Sequence, residues 1–265
     1  MKAKVNGINL NFELSGNSSG PAVVLHHPLA TNLSSWDELT AALDADYRVL
    51  RFDARGHGQS DAPGGAYTFE TLARDVVDLM TQCGIEKASF IGLSMGGMVG
   101  HYLGLLHPDR FHNLCLVSTT SRVPAEAKPT WEQRIVNAPK QGMAGQVEAA
   151  LQRWVSPTAL KENQNLVKRL TGMIEATPID GYIGWCHAIS GLDVTDRLGA
   201  IKLPTRVIVG ELDPATPVAA SQAIHAAIPG SELVIVPGVS HMLHNEEPDL
   251  FNSHVLPFLD AHARV

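Results

Sequence analysis

A serine flanked by glycines is the first group in this chain whose surroundings could support chemistry. The segment Gly92-Leu93-Ser94-Met95-Gly96 follows a short apolar run and precedes apolar residues at helical spacing. At such a strand-to-helix turn the serine backbone is strained, and small neighbours let the chain fold back. The turn exposes the hydroxyl and points the N–H groups of the next helix at an oxyanion formed there. The pattern predicts a nucleophilic Ser94.

The motif alone also fits an inert serine in a tight turn, so it needs a base and an acid elsewhere in the chain. For this type of turn the acid precedes the histidine in sequence. Asp213 follows the β-branched run at residues 205–209, and His241 follows the apolar run at residues 233–236. Each could be an ordinary loop residue. Three matches in the required order, each after a predicted strand, favour a triad of Ser94, Asp213 and His241.

The loop after the predicted strand at residues 22–25 is a candidate for the oxyanion hole. Such a hole takes one N–H from the residue after the nucleophile and a second from an early strand-to-helix loop. Met95 supplies the first donor in this interpretation, and Leu29 supplies the second. Pro28 has no N–H of its own, but it leaves the N–H of Leu29 available.

Strand and helix signals alternate along the chain, which predicts an α/β fold with a mostly parallel, twisted sheet flanked by helices. Residues 5–14 contain Asn6-Gly7 and predict an N-terminal antiparallel strand or hairpin. Helical periodicity over residues 68–83 predicts a helix with Thr68 as its N-cap and Gly84 as its stop. Further strands are predicted at residues 22–25, 47–53, 88–91, 114–117, 205–209 and 233–236.

Strand signals disappear between residues 121 and 203, where helical patterns replace them. We therefore predict a core formed by residues 1–120 and 204–265 and a helical cap formed by residues 121–203. Helices are predicted within the cap at residues 131–136, 143–154, 157–171 and 181–189. A cap inserted at this point is expected to cover the serine and to determine substrate choice.

Two tryptophans and two arginines of the predicted cap are candidate substrate-binding residues: Trp131, Arg134, Arg153 and Trp154. An arginine can bind a carboxylate through two hydrogen bonds, and an indole can form a wall beside a ring. Local positive charge would be needed for an anionic substrate, because the chain has a formal net charge of −7. The alternative is structural, with tryptophans packing the cap onto the core and arginines facing solvent.

Composition restricts the partners of this 265-residue chain. Its negative charge and the lack of a lysine- or arginine-rich block argue against a nucleic-acid surface. Three widely spaced cysteines, Cys83, Cys115 and Cys186, indicate reduced thiols of a cytoplasmic protein. No apolar stretch is long enough to span a bilayer. We expect a small-molecule substrate and no membrane partner, with homo-oligomer formation left open.

Neither a cofactor nor a metal is expected. The glycine-rich turn that ends at Asp61 departs from the dinucleotide fingerprint, whose last glycine position Asp61 occupies. The pairs His26–His27 and His241–His244 lack the carboxylate or cysteine cluster that would complete a metal site. His244 is expected instead to pack or form a hydrogen bond near the loop of His241.

Taken together, the motifs resemble the α/β-hydrolase superfamily over nearly the whole chain. The resemblance rests on residues 51–58, on residues 92–97 and on the Ser-Asp-His order, while His27-Pro28-Leu29-Ala30 departs from the usual His-Gly-x-Pro. The cap segments at residues 131–134 and 153–154 are similar to those of 3-oxoadipate enol-lactonases. The resemblance implies an α/β-hydrolase fold and a serine hydrolase acting on that lactone or a similar small carboxylate-bearing lactone.

Other activities are compatible with the same residues. A general carboxylesterase of small esters and a cofactor-free perhydrolase would both share the triad. A ligand receptor with vestigial turnover is the alternative from another class, and a measured turnover rate would distinguish it. Dehalogenases and epoxide hydrolases of this fold carry an aspartate nucleophile, which Ser94 argues against. Carbon–carbon bond hydrolases usually place tryptophan soon after the histidine, where this chain has Met242-Leu243-His244.

Overall fold

Eight strands form one sheet in the computed structural model, which describes residues 1–263. They are β1 (Lys2–Val5), β2 (Ile8–Gly16), β3 (Ala22–His26), β4 (Arg48–Phe52), β5 (Ala88–Leu93), β6 (Phe111–Val117), β7 (Thr205–Gly210) and β8 (Glu232–Val236). Their order in the sheet is β1-β2-β4-β3-β5-β6-β7-β8. The β1–β2 and β2–β4 pairs are antiparallel, and the other five pairs are parallel. The predicted mostly parallel sheet is confirmed.

The N-terminal hairpin follows from the conformational freedom of its turn residues. Asn6 and Gly7 have φ angles of +44° and +83°. Positive φ at both central positions is typical of the type I′ turn that Asn-Gly favours between antiparallel strands. Val5 pairs with Ile8 across this turn. The predicted hairpin is therefore confirmed, although β2 continues to Gly16.

Helices follow most of the strands and bury the central part of the sheet. They are α1 (Asp37–Leu43), α2 (Phe69–Gln82), α3 (Met95–Leu106), α4 (Lys128–Gln141), α5 (Val147–Trp154), α6 (Pro157–Glu162), α7 (Gln164–Ala176), α8 (Ile179–Ser190), α9 (Val218–Ala227), α10 (Leu243–Glu246) and α11 (Pro248–His262). All six residues of β5 are buried, as expected of a parallel strand covered on both faces. The prediction for α2 is confirmed: the Thr68 side chain accepts the Thr71 N–H, and Gly84 has a φ of +66°.

Five helices, α4 to α8, lie within residues 121–203, between β6 and β7. Two details of the prediction were wrong. The helix predicted over residues 143–154 begins only at Val147, after a 3₁₀ turn. The helix predicted over residues 157–171 is divided at Asn163, which has a ψ of +70° and caps α7 by accepting the Leu166 N–H. A local side-chain cap therefore overrides the continuous helical pattern.

This helical insertion (residues 121–203) is docked closely on the loop that follows β4. Gly181 of α8 lies so near Gly56 that a Cβ on Gly181 would be 1.9 Å from the Gly56 carbonyl oxygen. The Trp185 indole N–H donates to the Arg55 carbonyl at 2.7 Å. The division into core and cap stays a prediction, and residues 264 and 265 of the predicted core lie outside the described residues.

Within residues 1–263, no helix combines the length and the apolarity needed to cross a membrane.

Candidate active site

Ser94 occupies the sharp turn between β5 and α3. Its φ and ψ are +56° and −112°, a strained combination for a residue with a side chain. A Cβ on Gly92 would lie 2.4 Å from the Gly96 backbone, and a Cβ on Gly96 would lie 2.3 Å from the His26 carbonyl oxygen. Only glycine fits at these two positions. Ser94 remains partly exposed, at the C-terminal edge of the sheet.

Two backbone N–H groups beside Ser94 are free to bind an oxyanion. Met95 is the first residue of α3, so its N–H has no partner within the helix. Leu29 follows β3 and lines the same cavity as Ser94. Neither N–H meets a protein acceptor among residues 1–263. These are the two donors that the sequence predicts for the oxyanion hole.

Asp213 and His241 meet in the structure, at the ends of β7 and β8. His241 Nδ1 lies 2.8 Å from Asp213 Oδ2, and both side chains are almost fully buried. Asp213 Oδ1 accepts the N–H groups of Ala215 and Thr216, and Oδ2 accepts the Thr216 hydroxyl at 2.7 Å. The carboxylate is thus held in place by its own loop. Thr216 was not predicted, although its position three residues after an aspartate is a common local hydrogen-bonding pattern.

These contacts favour the charged form of Asp213 and determine the tautomer of a neutral His241 ring. Burial raises the pKa of Asp213, but the charge and hydrogen bond of His241 and the bonds from Thr216 outweigh it, so the pKa falls below its ordinary value. An ionised carboxylate only accepts hydrogen bonds. The proton of a neutral His241 therefore lies on Nδ1, which leaves Nε2 as an acceptor able to take a proton.

Ser94 and His241 line one cavity of about 650 Å³. Among residues 1–263 there is no hydrogen bond between the Ser94 hydroxyl and the His241 ring. Such bonds are often long or poorly aligned in ligand-free enzymes and tighten when substrate binds. The Trp154 ring stacks near His241, with 6.4 Å between centroids and an interplanar angle of 27°.

The four candidate substrate-binding residues of the insertion also line this cavity: Trp131, Arg134, Arg153 and Trp154. The Arg134 guanidinium lies over the Trp131 ring, 4.2 Å from its centroid. Burial and the like charge of Arg134 lower the pKa of Arg153 to about 10. Within residues 1–263, neither arginine has an ion pair or a hydrogen-bond acceptor. Both arginines are partly exposed, and their role in substrate binding stays a prediction.

The loop that carries His241 is tied to the insertion by a residue that sequence reasoning missed. Glu246 accepts the N–H groups of Ser156, at the start of α6, and of Ser240, beside His241. The Met242 N–H donates to the Trp154 carbonyl at 2.9 Å. Nothing in the local sequence marks Glu246, because its contact with Ser156 depends on how the insertion docks.

His244 lies outside the cavity, as a packing residue. Its Nε2 is 2.9 Å from the Ser35 hydroxyl, and its ring packs against Trp36. Among residues 1–263, no group of three or more histidine, cysteine or carboxylate side chains has an arrangement that could hold a metal ion.

The sequence of this chain matches one family of known proteins. A family model described as the alpha/beta hydrolase fold matches residues 21–248. The chain is 33% identical over 248 residues to 3-oxoadipate enol-lactonase 2 of Acinetobacter baylyi, covering 94% of this chain and 92% of that protein.

Two solved structures are similar over nearly their full length. The enol-lactonase from Burkholderia xenovorans has a TM-score of 0.95 and 35% identity, covering 98% of this chain and 100% of that one. A thermophilic esterase from Thermogutta terrifontis has a TM-score of 0.93 and 27% identity, covering 98% of each chain.

The fold and the similar proteins define a hydrolase built on a mostly parallel α/β sheet. The chain belongs to the α/β-hydrolase fold family, as its sequence resemblance implied.

Proposed function

We propose that this chain hydrolyses a small lactone or ester that carries a carboxylate, with Ser94 as nucleophile. The observation that carries the proposal is that two arginines without an ion-pair partner among residues 1–263, Arg134 and Arg153, line the same cavity as Ser94 and His241. Two like charges that are partly withdrawn from water and lie close to each other repel, and an anion between them removes this repulsion. A bound carboxylate would supply that anion.

In the proposed mechanism, Ser94 Oγ attacks the carbonyl carbon while His241 Nε2 takes its proton. Asp213 accepts the Nδ1–H of His241, keeps the ring in the required tautomer and stabilises the imidazolium. The N–H groups of Met95 and Leu29 hold the negative charge that develops on the carbonyl oxygen. The ring C–O bond of the lactone then breaks, and His241 returns the proton to the leaving oxygen.

A water molecule completes the reaction. His241 removes a proton from this water, which attacks the ester formed with Ser94. Collapse of the second tetrahedral intermediate releases the ring-opened dicarboxylic acid and returns the proton to Ser94. The residues of the site suffice for this chemistry, so the proposed mechanism uses no cofactor.

The named relatives narrow the proposed substrate. An enol-lactonase relative at 33% identity and an enol-lactonase structure at 35% identity support 3-oxoadipate enol-lactone or a close analogue. We assign substrate choice to the helical insertion as a cap, because it supplies both arginines and the two tryptophans.

A general carboxylesterase is the second candidate, favoured by the esterase structure at 27% identity. The test is a panel of three compounds: the carboxylate-bearing enol-lactone, its methyl ester, and p-nitrophenyl acetate. We expect the free acid to have the highest kcat/KM, by at least about tenfold over the methyl ester, which loses a charged contact. Equal values for acid and methyl ester would identify an esterase instead. Absence of turnover with all three would contradict the proposal.

A further inference from the structure

Reciprocal hydrogen bonds join two loops next to the candidate oxyanion hole. One loop follows β3 and carries Leu29, and the other follows β4. His27 Nε2 in the first loop accepts the Ala54 N–H at 2.9 Å. His57 Nε2 in the second loop accepts the Ala30 N–H, also at 2.9 Å. Both rings are fully buried. We call these four residues the histidine clasp.

The clasp requires one tautomer of each ring. A backbone N–H only donates, so both Nε2 atoms are unprotonated and the protons lie on Nδ1. His27 Nδ1 donates to the Pro28 carbonyl at 2.8 Å, and His57 Nδ1 faces the Arg55 carbonyl at 3.3 Å. Burial lowers the pKa of His27 to about 4. Burial, with the nearby His27, lowers that of His57 well below its ordinary value. Both rings are therefore neutral acceptors at neutral pH.

The clasp holds a loop conformation that the sequence alone disfavours. Ala30 has a φ of +55°, in the left-handed region that residues with a Cβ rarely adopt. The His57 ring engages the Ala30 N–H, and the Thr31 N–H donates to the Pro28 carbonyl. The N–H of Leu29 is thereby left as the donor of this turn that a substrate can use.

We propose that His57 is a positioning residue for the oxyanion hole. Through Ala30 it fixes the loop that presents the Leu29 N–H to the reacting carbonyl oxygen. This proposal rests on the proposed serine mechanism, because it assigns His57 a role only in binding the oxyanion. A donor of this kind acts in the transition state, so His57 should affect kcat and leave KM nearly unchanged.

Two substitutions test the role of His57 with p-nitrophenyl acetate as substrate. In His57→Leu the acceptor is lost, and kcat should fall roughly 10- to 100-fold at unchanged KM, somewhat less than the ~10²–10³ measured when an oxyanion donor is removed. In His57→Gln the side-chain oxygen can accept the Ala30 N–H, so most of the lost kcat should return. Asn113→Leu is the control, because it removes a buried hydrogen bond to Ser89 at the far end of the strands and should leave kcat unchanged.

The outcomes separate this inference from the proposed function. Turnover that depends on Ser94 but has a wild-type kcat in folded His57→Leu would overturn the role of His57 alone. Turnover that persists in Ser94→Ala would contradict the serine mechanism and the role of His57 with it.

The histidine clasp can also be tested in the wild-type protein, without any substitution. The ¹⁵N spectrum of labelled histidines should give His57 an unprotonated, hydrogen-bonded Nε2 at pH 7. A protonated Nε2 on His57 would rule out the clasp.

Discussion

Removing the charge of Arg153 should impair hydrolysis of carboxylate-bearing substrates and spare neutral ones. Arg153→Met keeps a long apolar stem that can fill the same space. With a pKa of about 10, Arg153 is protonated at pH 7 by about a thousand to one, so the substitution removes a full charge. No protein carboxylate among residues 1–263 would be left unpaired by the change, because Arg153 has no ion-pair partner there.

The expected loss of kcat/KM follows from the surroundings of the Arg153 guanidinium. Two opposite unit charges 4 Å apart interact by about 4 kcal/mol at an effective dielectric constant of about 20. Arg153 is only partly buried, and Arg134 in the same cavity would still attract the substrate. We therefore expect a loss of about 2–4 kcal/mol, near the lower half of the range for breaking a buried charge pair. This equals a decrease of about 30- to 700-fold in kcat/KM.

The assay compares kcat/KM for the enol-lactone with that for its methyl ester in wild type, Arg153→Met and Arg134→Met. Arg122→Met is the matched control, since Arg122 lines the same cavity but is already paired with Asp193 and Asp196. The control should lose little with either substrate. An equal loss on acid and methyl ester in Arg153→Met would refute the reasoning and show that the arginine supports packing.

Two further predictions concern the acid and the docking of the insertion. Asp213→Asn should lower kcat on the order of 10⁴-fold by favouring the wrong imidazole tautomer. Glu211 is an exposed neighbour that accepts the Gly238 N–H, and Glu211→Gln should leave kcat unchanged. Steady-state kinetics that show the reverse would assign the acid to Glu211, two positions earlier. Gly181→Ala should lower the free energy of unfolding by about 1–3 kcal/mol or more, because its Cβ would overlap a backbone carbonyl. A Cβ on Gly172 of α7 would meet no atom within 4 Å, so Gly172→Ala should raise the free energy of unfolding by about 0.5–1 kcal/mol. Urea unfolding that ranks the two glycine variants in the opposite order would contradict the close contact between Gly181 and Gly56.

The location of the candidate triad could be predicted because each residue follows an apolar strand. Parallel strands bring their carboxyl ends to one edge, and β5, β7 and β8 place Ser94, Asp213 and His241 there. The glycines around Ser94 could be predicted from the steric demands of the turn. These inferences need only the direction of the strands and the size of the neighbours.

Features that depend on local helix caps or on tertiary docking could not be predicted from the helical and strand patterns. Helical periodicity does not report a local cap such as Asn163, so the helix over residues 157–171 was extended through a break. Its residue type and its place in the predicted cap made Arg153 a candidate, but the partial burial of its side chain depends on how α5 packs. The roles of His27 and His57 were also missed, because their partners are backbone N–H groups 27 residues away.

The central claim is that Ser94 is the nucleophile, and a fluorophosphonate probe tests it most directly. Mass spectrometry of the labelled protein should find one probe per chain, attached to Ser94, and Ser94→Ala should prevent labelling. The same variant should lower kcat for the enol-lactone by at least ~10³-fold while the far-ultraviolet spectrum stays unchanged, because the members of such a triad act as a unit. Labelling at another serine, or full activity in Ser94→Ala, would contradict the claim.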